Sequence, residues 1–378
     1  MNNLKNQFLL DPTVTFLNHG SFGACPKPVF ETYQRWQLEL ERQPVEFLGR
    51  RFDDLMDQAR ARLADYLHAP TDSLIFVPNA TAGVNTFARS LNLQPGDEIL
   101  TTDHEYGACD LTWQFVCRQT GAVYRHYPIP LPVTTHADFV ESFWSAVTPR
   151  TRVIFISHIT SPTALIFPVA EICRRAREAG ILTIVDGAHA PGQIPLDLEA
   201  IGADAYTGNC HKWLCAPKGA AFLYVRSELH THIDPLVVSW GDMNETLTFV
   251  NRNQWQGTRE PSAFLSVPAA IDFEQVHQWD EVRLRCHQMA SEMRGRLAEL
   301  FDLPPICPDS PEWFAQMITA PLPPCDPAVL KTRLYDEFRV EVPIVTWQDK
   351  HYIRVSFQGY NTPADAEALF NALQKILC

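Results

Sequence analysis

One stretch of the chain, residues 181–214, constrains the fold more than any other. It opens with the continuous apolar run 181–185, which is typical of a strand buried on both faces of a parallel sheet. Asp186 ends this run, and Lys212 follows one strand–helix–strand step later. Open α/β sheets bind ligands in the crevice at the carboxyl ends of their strands, so both side chains are expected to face that crevice.

An acid and a lysine in this arrangement are the two groups that pyridoxal phosphate (PLP) requires. The cofactor needs a lysine amine for a Schiff base and an acid near its ring nitrogen, so that the protonated pyridine draws electrons from a substrate carbanion. A single aspartate or lysine is more often a cap or a solvated surface residue. The neighbours His189, His211 and Trp213 favour a binding site instead. We therefore predict Asp186 and Lys212 as the catalytic pair.

Short motifs follow one another in order along nearly the whole chain. They are Asn18-His19-Gly20-Ser21-Phe22-Gly23, Asn79-Ala80-Thr81, His104-Glu105-Tyr106-Gly107, Asp186-Gly187-Ala188-His189, His211-Lys212, Gln256-Gly257-Thr258-Arg259 and Ile353-Arg354-Val355-Ser356. Their combination, from about residue 16 to 361, resembles that of class-V aminotransferase-like enzymes, and most of all their isopenicillin N epimerase-like branch. The resemblance implies a PLP-dependent enzyme of fold type I.

The resemblance also implies a set of cofactor contacts. The phosphate-binding segment of the family matches a predicted helix start at Ala80, Thr81 and Ala82, where backbone donors and the helix dipole attract an anion. Tyr106 matches the aromatic residue that covers the cofactor ring, with His104 as the alternative. The other matching positions are Ser161, where related enzymes often carry asparagine, His189 at the phenolic oxygen, Asn209 and His211 near the phosphate, and Thr258 in a loop that reaches the partner's phosphate.

A further set of residues is implied for the substrate and for assembly. Arg354 matches the arginine that grips a substrate carboxylate, a role suited to its planar fork of donors; the alternative is a solvated arginine on an edge strand. Arg259 is the next candidate for this carboxylate, and the motif around Asn18 and His19 implies further substrate contacts. Because Thr258 matches a residue that crosses a subunit interface, the resemblance implies a homodimer with the active site at that interface.

The fate of the substrate carbanion decides the reaction. Lys212 is the expected base that removes the α-proton of an amino acid. Return of a proton on the opposite face, with His19 or Tyr106 as candidate donor, gives epimerisation. Loss of a β-thiol gives C–S lysis, and protonation at the cofactor carbon gives transamination. Residues 339–350 contain no cysteine, which disfavours a desulfurase with a mobile cysteine nucleophile.

We predict an epimerase or racemase of the isopenicillin N epimerase type, acting at the α-carbon of an amino acid. The first alternative is a C–S lyase that acts on cysteine or a cysteine sulfoxide, or an aminotransferase. A non-catalytic binding protein of the same fold is the alternative from another class of function.

Composition narrows the partners and the compartment. A chain of 378 residues with 46% hydrophobic and 20% charged residues has the make-up of a soluble enzyme with a large core. The net charge of −13 argues against nucleic acid and anionic membranes as partners. No segment has the apolar run of a signal peptide or a membrane span, so we expect a cytoplasmic protein. The ten cysteines form no Cys-x-x-Cys pair, and Cys210, His211 and Cys215 lack zinc spacing, so we expect neither disulfides nor a metal.

Alternating strand-like and helical runs predict an α/β fold with a mainly parallel seven-stranded sheet covered on both faces. One strand, at 220–225, follows its predecessor too closely for a crossover and is expected to run antiparallel. The predicted strands are 74–77, 98–101, 122–127, 152–158, 181–185, 203–207 and 220–225. Predicted helices in the same part are 28–41, 47–68, 108–119 and 169–179.

A smaller α+β unit is predicted at the carboxyl end. It follows a helical stretch over 262–301, with breaks near Pro268 and Trp279, and a proline-rich boundary at 303–311. We expect an N-terminal segment over 1–15, a large cofactor-binding domain over 16–260, and a linking helix with the small domain over 261–378. The elements predicted for the small domain are strands near 314–319, 340–346 and 352–357 and helices 328–338 and 364–376.

Overall fold

A sheet of seven strands forms the centre of the molecule, and the computed structural model describes residues 4–242 and 247–378. The strands of this sheet and of two smaller sheets are β1 Thr15–Phe16, β2 Leu74–Val77, β3 Glu98–Thr102, β4 Val123–Tyr127, β5 Thr151–Ser157, β6 Leu182–Asp186, β7 Ala205–Asn209, β8 Ala221–Val225, β9 Met317–Pro321, β10 Val340–Glu341, β11 Ile344–Trp347 and β12 Lys350–Ser356.

Helices cover both faces of this sheet and form much of the remaining chain. They are α1 His19–Phe22, α2 Lys27–Arg42, α3 Pro44–Glu46, α4 Phe52–Leu67, α5 Ala80–Ser90, α6 Gly107–Thr120, α7 His136–Trp144, α8 Val169–Glu178, α9 Leu198–Ile201, α10 Phe249–Gln254, α11 Ser262–Leu265, α12 Val267–Val276, α13 Trp279–Phe301, α14 Pro327–Phe338 and α15 Pro363–Leu377. Turns of 3₁₀ or π type lie at Leu4–Gln7, Phe47–Arg51, Thr71–Ser73, Ser227–His232 and Trp240–Asp242. In the part of the chain described, no helix combines the length and apolar character needed to cross a membrane.

The central sheet is parallel except at one strand. Its order is β2-β8-β7-β6-β5-β3-β4. Strand β8 runs antiparallel to both of its neighbours, because the connection from β7 is too short for a crossover, and the other adjacent pairs are parallel. The predicted α/β fold with a mainly parallel seven-stranded sheet is therefore confirmed.

Alternate residues of the sheet enter two separate apolar clusters. Leu74 and Phe76 of β2 belong to one cluster, and Ile75 and Val77 belong to the other. Both faces of each strand are thus buried, which accounts for the continuous apolar runs in the sequence. The strand register aligns Ser157 with Asp186, and Asp186 with Thr207, so that β5 and β6 end at one level and β7 extends two residues beyond them. The segments that follow these strands meet at a common edge.

The carboxyl-terminal strands divide between two small sheets. Strands β11, β12 and β9 form an antiparallel sheet, whereas β10 pairs with β1 in parallel. The prediction of one strand over 340–346 was therefore wrong: the strand is interrupted at Val342 and Pro343, where proline has no N–H for a ladder. The pairing of Thr15 with Val340 also places β1 across the predicted boundary between residues 15 and 16.

Candidate active site

A cavity of about 250 Å³ opens where β5, β6 and β7 end. It brings together most of the residues predicted for the cofactor, namely Ala80, Thr81, Tyr106, Ser161, Asp186, His189, Asn209, His211 and Lys212. Its other lining residues are Ser21, Phe22, Asn79, Ser157, Ile159 and Ala188. Most residues predicted to bind the cofactor thus lie together at the carboxyl ends of these strands.

The amine of Lys212 lies inside this cavity, 3.1 Å from Nε2 of His189. Burial, and after it the positive charge of Arg354, lower the pKa of Lys212 to about 8, although Asp186 acts in the opposite direction. A solvated lysine amine is almost wholly protonated at neutral pH. Lys212 therefore has a larger fraction of unprotonated, nucleophilic amine than a surface lysine.

Two neighbours, Trp213 and Lys212, determine which ring nitrogen of His189 carries the proton. The indole Nε1 of Trp213, which is only a donor, donates to His189 Nδ1 at 3.2 Å. Burial, followed by the charges of Lys212 and Arg354, holds the pKa of His189 well below its usual value, so the ring is neutral with its proton on Nε2. This N–H points toward Lys212, where it suits an acceptor such as an unprotonated amine or a phenolic oxygen.

Asp186 is a buried carboxyl group at the end of β6. Its Oδ1 accepts from the backbone N–H of Ala188 at 2.9 Å, and the thiol of Cys109 donates to Oδ2 at 3.5 Å. Burial raises its pKa, whereas these bonds and the nearby Lys212 lower it. Within the described residues it makes no direct ion pair, so it retains the capacity to bind a protonated ring nitrogen.

Helix α5 begins beside the same cavity. Two side-chain oxygens already accept its first N–H groups: Asn209 bonds Ala80 and Asn79 bonds Ala82, each at 2.8 Å. Ala82 does not line the cavity. Of the three residues predicted at this helix start, Thr81 is the one whose backbone N–H and hydroxyl remain without a partner in the described part of the chain. The positive end of the helix still favours an anion there.

Arg354, on β12, lies against residues that line the cavity and is almost fully buried. It donates to the backbone oxygen and hydroxyl of Ser161 at 2.6 and 3.1 Å, and to the hydroxyl of Ser21 at 3.1 Å. No carboxylate among the described residues pairs with it, and its Nε lacks a bond. Burial lowers its pKa to about 10. A buried guanidinium with only neutral partners is suited to an incoming carboxylate.

Two predicted substrate residues lie behind the cavity rather than in it. His19 is fully buried, with Nε2 donating to the backbone oxygen of Lys212 and Nδ1 accepting from Tyr360, each at 3.0 Å. Asn18 donates to Glu341 at 2.9 Å and accepts from Ser21 at 2.5 Å. These residues connect the lysine loop, the arginine strand and the amino-terminal segment.

The motif around Thr258 lies away from this cavity. Thr258 lines a different cavity, of about 620 Å³, together with Trp240 and Val45. Arg259 donates to the backbone oxygen of Gln254 at 2.8 Å, and its guanidinium stacks over Phe264. Within one chain, the structure does not bring either residue to Lys212.

Two contacts of the site were not predicted. The Ser21 hydroxyl binds Arg354, and the Cys109 thiol binds Asp186. Ser21 lies within the motif at residues 18–23, so its hydroxyl group could have been predicted to contact the site. No sequence pattern pointed to Cys109, because it occupies an ordinary apolar position of α6. It contacts Asp186 only because α6 packs on the sheet.

The sequence model of the protein family "Aminotransferase class-V" matches residues 25–369 of this chain. The chain belongs to the class-V aminotransferase family. An isopenicillin N epimerase of Amycolatopsis lactamdurans is 38% identical over 99% of this chain and 98% of its own. A protein of Arabidopsis thaliana named "Probable L-cysteine desulfhydrase, chloroplastic" is 30% identical over 97% of this chain and 84% of its own. The apo structure of a cysteine desulfurase from Thermococcus onnurineus NA1 has the same fold, with a TM-score of 0.87 at 19% identity and coverage of 100% and 98% of the two chains.

This class-V enzyme is PLP-dependent, and its residues fit the cofactor. The cavity offers an enclosed amine at Lys212, a buried carboxyl group without an ion-pair partner at Asp186, a ring N–H at His189, and the amino end of α5. These are the groups that an aldehyde, a pyridine nitrogen, a phenolic oxygen and a phosphate require. The predicted family and cofactor are confirmed.

We expect the apoprotein to take up PLP faster as pH rises, with the rate levelling above pH 8. The Lys212 amine attacks only when unprotonated, and its pKa is lowered to about 8. A solvated lysine would give a rate that still climbs near pH 10. Stopped-flow absorbance at 0.5-unit steps of pH would measure this profile. In Arg354→Gln, which removes a neighbouring positive charge, the inflection is expected at higher pH; a profile identical to wild type would contradict the electrostatic cause.

Arg354→Lys is expected to weaken binding of an amino acid by about tenfold or more, the scale of one charge-assisted hydrogen bond. Lysine keeps the charge but loses the fork that holds a carboxylate at two points. Titration of the cofactor's absorption with amino acid would give the midpoint, and PLP retention should be unchanged. Arg259→Lys is the control. A midpoint that moves in Arg259→Lys and stays in Arg354→Lys would assign the carboxylate to Arg259.

Proposed function

We propose that this protein is an amino-acid epimerase of the isopenicillin N epimerase type, which inverts the configuration at the α-carbon. The observation that carries the proposal is the 38% identity to an isopenicillin N epimerase over nearly the full length of both chains. The cavity supports it, because an enclosed amine lies close to a buried guanidinium that lacks a carboxylate partner.

In this proposal, five residues hold the cofactor. Lys212 binds it covalently, Asp186 faces the ring nitrogen, His189 the phenolic oxygen, and Thr81 and His211 the phosphate. His211 donates from Nδ1 to the Ala220 backbone oxygen at 2.9 Å, and burial lowers its pKa to about 4. A bound phosphate would favour the protonated ring. When bound, PLP supplies the electron sink that makes the α-proton removable.

Side chains of the protein bind the substrate and remove its α-proton. Arg354 holds the substrate carboxylate at two points, which fixes the bond at the α-carbon that faces the amine. Lys212, as an unprotonated amine, removes the α-proton. Ser21 and Ser161 orient the guanidinium through their hydroxyl groups.

A screen in deuterated water tests the function. L-Amino acids, isopenicillin N and cysteine are incubated separately with holoenzyme. Proton NMR reports α-deuteration and chiral chromatography reports the D form. We expect deuteration together with inversion for at least one substrate. Deuteration without any D form, or release of pyruvate and sulphide alone, would overturn the epimerase proposal.

A C–S lyase is the second candidate, because the desulfhydrase relative is 30% identical over nearly the whole of this chain. For this reaction the base at Lys212 would act on a substrate with a β-thiol. In the same screen it would release sulphide and ammonia from cysteine. The β11–β12 hairpin contains no cysteine, which argues against the persulfide chemistry of a desulfurase.

We further propose that two copies form a homodimer, with Thr258 of each copy completing the partner's phosphate site. Support comes from exposed apolar side chains: Phe22 lines the active-site cavity, and Val45 and Trp240 line the cavity at Thr258, each more than two-thirds exposed. Light scattering is expected to give twice the chain mass of 42.9 kDa. Trp240→Glu should shift the protein toward monomer; a wild-type monomer that retains PLP would contradict the proposal.

A further inference from the structure

Inversion requires a second proton donor on the face of the α-carbon away from Lys212. His19 is unsuited to this role, because both of its ring nitrogens are bonded to the protein and its side chain has no exposed surface. Burial lowers its pKa to about 3, which keeps the ring neutral. It is a positioning residue for the lysine loop.

Tyr106, in contrast to His19, is exposed to the cavity and has a hydroxyl group without a partner among the described residues. It lines the active-site cavity, and the residue is 48% exposed. No described residue forms a hydrogen bond with its hydroxyl group. A phenol in a catalytic cavity without a partner is free to donate to a ligand.

The sheet order places Tyr106 and Lys212 on either side of Asp186. Tyr106 follows β3 and Lys212 follows β7, and the strands β6 and β5 lie between them. Arg354 interacts electrostatically with both groups: after the larger effect of burial, Tyr106 raises the pKa of Arg354, and Arg354 lowers the pKa of Lys212. Because Arg354 bonds Ser21 and Ser161, which line the same cavity as Tyr106 and Lys212, a substrate carboxylate at this guanidinium would bring the α-carbon into the cavity that holds both the amine and the phenol.

We propose that Tyr106 is the second acid–base residue, acting on the face of the α-carbon opposite Lys212. The inference rests on the proposed epimerase function. In one direction the C–H bond breaks and its proton passes to the Lys212 amine. The electron pair left on the carbon then takes the proton of the Tyr106 hydroxyl, which forms the new C–H bond on the other face. Lys212 becomes an ammonium ion and Tyr106 a phenolate, and the reverse reaction starts from this state.

Tyr106→Phe tests this, because it keeps the ring and removes the hydroxyl group. The probe is the substrate that deuterates fastest in the screen, supplied separately as its L and D forms. We expect inversion to fall by about 100-fold or more. One enantiomer should still exchange its α-proton with retention of configuration, since Lys212 remains. The melting temperature and cofactor absorption should match wild type. Tyr335→Phe, a surface phenol on α14, is the control and should invert normally.

The outcomes separate this inference from the proposed function. If wild type inverts its substrate and Tyr106→Phe does so equally well, the inference is overturned and the epimerase stands. If Tyr106→Phe loses exchange of both enantiomers, Tyr106 holds the cofactor or substrate and moves no proton, which also overturns it. If wild type exchanges the α-proton without inversion, the proposed function fails, and the inference fails with it.

Discussion

Lys212→Ala is expected to lower α-proton exchange by about 10²–10⁴-fold, the usual contribution of a positioned base. It should also lose the covalent attachment of PLP, because Lys212 supplies the only lysine amine among the residues that line the active-site cavity. Borohydride reduction of wild type, followed by peptide mapping, would identify the labelled residue. The label is expected on the peptide that contains Lys212.

Lys218→Ala is the matched control, since Lys218 lies on the same loop and donates to the backbone oxygen of Gly23 at 3.0 Å. It should keep both the label and exchange. A label on any other lysine, or full exchange in Lys212→Ala, would contradict the assignment of Lys212 as base and cofactor anchor.

Asp186→Asn is expected to slow α-proton exchange by about 10²–10³-fold, the scale of removing one preorganised electrostatic contact. A carboxylate beside the ring nitrogen keeps the pyridine protonated, whereas a neutral amide does not. Retention of PLP should change far less, because Lys212 and the amino end of α5 remain. Exchange rates by NMR and cofactor loss on dialysis would separate the two effects.

Glu105→Gln provides the control for a buried carboxyl group in the same region. Burial raises the pKa of Glu105 to about 8, against the hydroxyl groups of Ser157 and Thr102 that donate to it. At pH 7 this side chain is mostly protonated and neutral, as glutamine is. Glu105→Gln should therefore exchange at nearly the wild-type rate at pH 7. Equal losses in both variants would indicate that Asp186 acts through general packing.

Local pattern was sufficient to predict the sheet and the centre of the site. The strand at 181–185 was found as Leu182–Asp186, because a run buried on both faces has an unbroken apolar signal. Lys212 and Arg354 were both placed at the cavity or against its lining residues. Helix α7 was missed, although Thr135 caps it by accepting from Asp138, a pattern that a sequence does display.

Other features depend on contacts between distant parts of the chain, which a single sequence does not display. Nothing in the sequence separates a histidine in the cavity from His19, which packs behind Lys212. The split of 340–346 is set by the pairing of β10 with β1. The positions of Thr258 and Arg259 follow from loop packing, and their role across a subunit interface stays a prediction.

The network that joins His19, Lys212 and Tyr360 has a consequence for biosynthesis. The site is completed by residues from both extremes of the chain, so its contacts are among the longest-range contacts in the fold. Long-range contacts form late, because the intervening chain must first be ordered. Lys212 and all seven strands of the central sheet precede residue 226, whereas Arg354 lies on β12, so the substrate site requires nearly the whole chain. During synthesis, the residues expected to hold PLP therefore leave the ribosome before the arginine that is expected to hold the substrate.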